Sequence, residues 1–148
     1  MSARPFIPFT TDAEIAAIGR GVLDLSLPKS RWTHAAHFAT ALWLISRRPD
    51  LDASSAMPGM IRAYNEATGV ANTDTEGYHE TITQASLRAA RSFLLLDPER
   101  RLFETCNALM ASPLGKSDWL LGYWSRALLF SVKARRGWVE PDLKQLPF

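Results

Sequence analysis

The sequence predicts an all-α protein, a single compact irregular bundle of about six helices. Three observations carry this. Apolar residues recur at helical spacing in one segment after another. No segment shows the apolar–polar alternation of a half-buried strand. Capping residues, glycines and prolines mostly fall at the ends of the helical stretches.

The elements follow in order. Residues 1–10, with Pro5 and Pro8, read as an extended N-terminal arm. Thr11-Asp12-Ala13-Glu14 is a capping box, and Ile15, Ile18, Val22 and Leu25 form the stripe of the first helix. Pro28 stops it. Thr33 is the N-cap of a second helix running to Arg47, with His34, His37, Phe38, Ala41, Leu44 and Ile45 on one face. The third helix presents Met57, Met60, Ile61, Tyr64 and Thr68, and Gly69 stops it. Pro58 must sit in its first turn or kink it.

A polar loop spans Val70 to Thr75. Thr73 and Glu76 have capping-box spacing for a fourth helix over 75–95, with His79, Ile82, Ser86, Ala89 and Phe93 on one face. Asp97-Pro98-Glu99 supplies a cap, a proline and an early acid for a fifth helix ending near Ser112-Pro113. Residues 117–136 are helical again, with breaks expected near Ser125 or Ser131. Residues 137–148, with Pro141 and Pro147, form an irregular tail. There is no repeat or linker, so residues 1–148 read as one helical domain. Its expected core includes Ile15, Ile18, Val22, Phe38, Leu44 and Ile61 from the first half. Ile82, Phe93, Leu102, Phe103, Leu109 and Leu128 complete it.

Composition narrows the function classes. Hydrophobic residues make up 47% of the chain and charged residues 22%, a globular balance. The net charge is only +2, and Lys133, Arg135 and Arg136 form the densest basic stretch. That is a solvated helix end rather than a nucleic-acid footprint. No apolar run nears the roughly 18 residues of a membrane span. The start, MSARPFIPFTTDAE, lacks a signal-peptide apolar run. Cys106 is the single cysteine, so no intramolecular disulfide forms and a reducing, cytoplasmic setting fits. Its apolar surroundings mark it as a buried packing residue rather than a nucleophile.

All three histidines fall in two aromatic-flanked motifs, Trp32-Thr33-His34-x-x-His37 and Tyr78-His79-Glu80-Thr81-x-Thr83. His34 and His37 share a helix face with apolar residues, and so does His79. All three imidazoles are therefore expected to point inward and converge.

Three readings compete. His34, His37 and His79 could bind one divalent metal, zinc, iron or manganese, with Glu80 as a ligand or as the base on bound water. Glu76-x-x-His79 has the spacing of carboxylate-bridged bundles, but it occurs only once. Alternatively, His79 and Glu80 are the catalytic pair of a metal-free small-molecule site. Trp32, Tyr64, Tyr78 and Thr83 would then contact the ligand. In the third reading the cluster is structural, with imidazoles near helix starts satisfying loop carbonyls.

Proton transfer and metal-assisted hydrolysis are the reactions these residues fit. No phosphate loop, dinucleotide fingerprint or Ser-His-Asp arrangement is readable. A non-enzymatic interaction module, including a homodimer, is the other class. Its support is the aromatic C-terminal set Trp119, Tyr123, Trp124 and Trp138.

The two histidine motifs, with Ala134-Arg135-x-x-Trp138-Val139-x-Pro141-Asp142-Leu143-x-x-Leu146-Pro147, resemble a bacterial family of small uncharacterised helical proteins. The resemblance runs from about residue 30 to the end. It implies a cytoplasmic bacterial protein in which His34, His37, His79 and Glu80 form a shared site. It implies no activity.

Overall fold

A computed structural model describes residues 6–148. The first five residues of the expected arm lie outside the described residues. Among the described residues there are seven α-helices and no strand. They are α1 (Asp12–Leu23), α2 (His34–Arg47), α3 (Ala53–Ala67), α4 (Glu80–Leu96), α5 (Leu102–Ala111), α6 (Arg126–Leu129) and α7 (Val132–Arg136). Short 3-10 turns occupy Lys29–Arg31, Pro113–Gly115 and Trp119–Gly122.

The first two helix starts follow their caps. Thr11 accepts from the Glu14 N–H, and the Glu14 carboxylate answers through the Thr11 N–H at 3.0 Å. Thr33 Oγ1 accepts from the Ala36 N–H at 3.2 Å and opens α2. Upstream, residues 6–10 form no regular element, and Phe9 is tied to Asn107 by reciprocal 2.9 Å bonds.

The centre of the bundle is α2, which contacts α1, α3, α4 and α5. Nine of its residues are buried, Ala35, Ala36 and the run from Phe38 to Leu44. A helix enclosed on every side has no solvent stripe. Around it the apolar side chains form two clusters. One joins α1, α2, α3 and Leu102 with Cys106; the other joins Phe38 and α4 to the C-terminal elements. Eight of the expected core residues are buried, whereas Ile82, Phe93, Phe103 and Leu128 are half-buried at the margins.

Three local expectations change. First, α4 begins at Glu80, not near residue 75. Thr73 and Glu76 instead close a tight turn, with the Thr73 N–H donating to Glu76 O at 2.8 Å. His79 takes the N-cap: its Nδ1 accepts from the Ile82 N–H at 3.2 Å. Second, Asp97-Pro98 makes a turn, and α5 starts later at Leu102. Third, residues 117–136 break at both serines. Ser125 and Ser131 are N-caps of two short helices, each accepting a backbone N–H at 3.2 Å.

Pro58 lies inside α3, past the first turn. It has no N–H for the carbonyl four residues back, which belongs to Ser54. Gln84 of α4 donates its side-chain amide to that carbonyl at 3.0 Å. The proline thus exposes an acceptor that α4 uses to dock. No helix of the described residues is long and apolar enough to cross a membrane.

Candidate functional site

The second histidine motif is one side of a polar seam. His79 and Thr81 meet partners in neighbouring elements, and Tyr78 and Thr83 bond within the motif. His79 Nδ1 is an acceptor, so Nε2 carries the proton and donates to Leu129 O at 2.6 Å. Thr81 donates to the carbonyls of Ala134 and Gly137 and accepts from the Val139 N–H at 3.2 Å. Thr83 donates to His79 O at 2.9 Å. The Tyr78 hydroxyl donates to Glu80. Across the seam, Arg135 donates to Gly77 O at 3.0 Å and Tyr78 O at 3.3 Å. The Trp124 indole donates to Val139 O at 3.0 Å. These bonds hold α7 and the start of the tail against the entry to α4.

The expected three-histidine metal site is not assembled. Among the described residues no group of three His, Cys, Asp or Glu side chains is placed to hold a metal ion. The physical reason is the position of α2. On a helix with about 3.6 residues per turn, His34 and His37 point about 60° apart. Around a helix that contacts four others that angle leads to different neighbours. His34 Nε2 donates to Leu114 O at 2.8 Å, and its ring meets Phe38 edge-on at 5.1 Å. His37 instead stacks on Trp32, with ring centroids 3.7 Å apart. His79 has both nitrogens engaged. Glu76 lies exposed in the tight turn.

What does converge is a cleft of about 330 Å³ between the start of α2, α3, the 70–79 loop and α4. Trp32, His37, Tyr78, His79 and Thr83 line it, so it draws on both motifs. Ile61, Asn65, Val70, Gly77 and Ile82 complete the wall. Ile61 and Ile82 were legible as inward-facing residues of their helices, and the sequence offered little signal for Asn65, Val70 and Gly77. Asn72 folds the loop onto α3: its carbonyl oxygen accepts from Asn65 and from the Tyr78 N–H, both at 3.0 Å. Gly77 has φ +83°, and a Cβ there would lie 2.3 Å from Ala71 O, so only glycine fits this bend.

Two expected site residues, the ligand contact Tyr64 and the catalytic Glu80, lie elsewhere. Tyr64 is fully buried behind Trp32, and its hydroxyl donates to Leu27 O at 2.8 Å. Glu80 is outside the lining. Arg62 lies over the Tyr78 ring at 4.4 Å and covers its outer face.

His37 presents a polar atom without a protein partner in the cleft. Its Nδ1 donates to Thr33 O at 2.9 Å, since a carbonyl only accepts. Nε2 therefore keeps its lone pair, and no protein group among the described residues bonds to it. Burial lowers the His37 pKa to about 4; the Thr33 bond opposes the shift and the nearby His34 adds to it. Burial also lowers that of His79, against its bond to Leu129 and with help from Arg135. Burial, reinforced by the bond to Glu80, raises that of Tyr78. Burial alone raises Cys106 to about 12, so this thiol is not a nucleophile near neutral pH.

The C-terminal aromatic rings serve the interior. Trp119 and Trp124 are buried in the second cluster, with Tyr123 and Trp138 packed against it. They do not form an exposed patch. Comparison with known protein-family models, curated proteins and solved structures gives no match.

Proposed function

We propose that the protein binds a small, mostly apolar molecule in the cleft beside Trp32, and that His37 recognises a hydrogen-bond donor on it. The observation that carries this is the vacant His37 Nε2, held by the Thr33 bond and the Trp32 stack inside a largely apolar cleft. The volume suits a ligand of about one ring, at the lower end of ordinary small-molecule pockets.

Recognition fits better than proton transfer. A useful general base has a pKa near the working pH, and burial holds His37 near 4. The pair expected for catalysis, His79 and Glu80, is built into the helix start and the Tyr78 contact. The buried, unpaired Cys106 suits a reducing cytoplasm as the setting.

Phenol and toluene test the reading, because they differ by the one donor His37 would meet. Two-dimensional NMR should show saturable shifts at Val70, Gly77 and Ile82 with phenol. His37→Leu should weaken phenol about fivefold, the equivalent of a net hydrogen bond of about 1 kcal/mol, and leave toluene unchanged. Equal phenol binding by wild type and variant, or no saturation at these residues, defeats the proposal. The second reading, in which the histidines serve only the fold, draws on the carbonyl bonds of His34 and His79. It expects that absence of binding.

A further inference from the structure

A second cleft, of about 570 Å³, lies between α1, the end of α2 and the start of α5. It is separate from the His37 cleft. Along α2 the two are marked by His37 and Arg47, ten residues or about 15 Å apart. Three arginines, Arg20, Arg47 and Arg48, face a single carboxylate, Asp12, among its lining residues. The lining therefore carries a net charge of +2 from these four residues.

Asp12 cannot neutralise this charge. Its Oδ1 accepts from the Phe103 N–H at 2.9 Å, and its Oδ2 takes Arg47 at 3.1 Å. The same bonds join α1 to α2 and α5, so Asp12 is fixed as a strut. Arg48 is held by Asp50 in a two-bond pair at 3.0 and 2.8 Å. Arg20 has no acidic partner among the described residues. Its bland role is to complement the C-terminal dipole of α1. Arg47 and Arg48 have their own carboxylates, so Arg20 is the one guanidinium of the cleft whose charge no acidic side chain among the described residues meets.

Ala13, Ala16, Trp43 and Leu102 supply the apolar part of the lining, with Trp43 and Leu102 almost wholly buried and Arg48 over the Trp43 ring at 5.8 Å. Gly19 permits this arrangement: a Cβ there would lie 2.3 Å from the Trp43 ring, so the indole packs directly against the α1 backbone. The guanidinium fork matches carboxylate and phosphate oxygens in two-bond geometry.

We infer that this cleft binds a small organic oxyanion, a carboxylate or phosphate head on a short apolar body, with Arg20 as the principal anchor. The head meets Arg20 and the unused N–H groups of Arg47. The body lies on Ala13, Ala16 and the indole edge.

The test titrates the full chain with benzoate, phenyl phosphate, benzyl alcohol and inorganic phosphate, followed by NMR of the amides of Ala13, Ala16 and Leu102. Benzoate or phenyl phosphate should give saturable shifts there that weaken as salt is raised. Benzyl alcohol should give none, and inorganic phosphate should bind more weakly than phenyl phosphate. Arg20→Gln lies on an exposed position and should fold as wild type by circular dichroism. It should weaken the organic anion about tenfold or more, as loss of a charge-assisted bond implies. Lys133→Gln removes an exposed charge elsewhere and should change affinity less than about twofold. Four results overturn the inference: no saturation at these amides, benzyl alcohol binding as well as the anions, inorganic phosphate binding as well as phenyl phosphate, or Arg20→Gln binding as wild type.

Discussion

Replacing His79 should cost the fold more than any catalytic role would. The side chain is 7% exposed and serves two backbone groups at once. Its Nδ1 caps α4 through Ile82, and its Nε2 satisfies Leu129 O across the seam. His79→Ala removes a cap contribution of about 1 kcal/mol. It also leaves a buried carbonyl unpaired, which costs about 1–3 kcal/mol. The expected loss is about 2–4 kcal/mol, or a Tm lower by roughly 5–15 °C for a chain of this size. His79→Asn separates the two contributions, because asparagine caps well but is too short for Leu129. It should lose only about 1–3 kcal/mol. Urea denaturation followed by circular dichroism at pH 7 measures both. A loss below about 0.5 kcal/mol in His79→Ala would refute the reasoning, since that is the range of unremarkable surface substitutions. Equal losses in the two variants would remove the cap contribution alone.

Two other predictions concern His37 and Pro58. The His37 pKa falls from 6.5 to about 4 on folding, so between these values the unfolded chain holds the extra proton. The His37 contribution to stability should be level above about pH 6.5, fall by about 3 kcal/mol on acidification to pH 4, and level again below. His79 shifts in the same direction and adds to the slope. The stability gap between wild type and His37→Gln should therefore shrink or reverse from pH 7 to pH 4.5. A gap unchanged with pH refutes the assignment. For Pro58, Gln84→Met should cost about 1 kcal/mol in the native background, where Ser54 O depends on Gln84. In a Pro58→Ala background the new N–H can reach that carbonyl, and the same substitution should cost less than about 0.5 kcal/mol. Additive losses in this cycle would show that the two residues are not coupled through Ser54.

Local signals made much of the fold legible. The Thr11 box, the Thr33 cap, Gly69 and the two serines at 125 and 131 each act within a few residues of their own backbone. Such bonds form wherever the chain makes the turn, so their spacing is enough to locate them. The same reasoning failed at Thr73–Glu76 and at Asp97-Pro98. Both have capping chemistry, and both close turns instead. At His79 the cap gained a second bond, to Leu129, fifty residues away, which no local pattern encodes.

The candidate site divides along the same line. The sequence by itself determined that the two motifs carry apolar helix faces; of the residues it assigned to one site, Trp32, His37, Tyr78, His79 and Thr83 line one cleft, and His34, Tyr64 and Glu80 do not. Helical periodicity states which side of a helix is apolar. It does not state how many elements surround that helix. Only the tertiary structure decided that α2 packs against four other helices, which sends His34 to Leu114 and His37 to the cleft. Only the tertiary structure decided that the Tyr78–Thr83 motif is engaged by the C-terminal seam. Hydrogen bonds between distant segments depend on where packing places a carbonyl, and that position is a property of the assembled core rather than of any one stretch of chain.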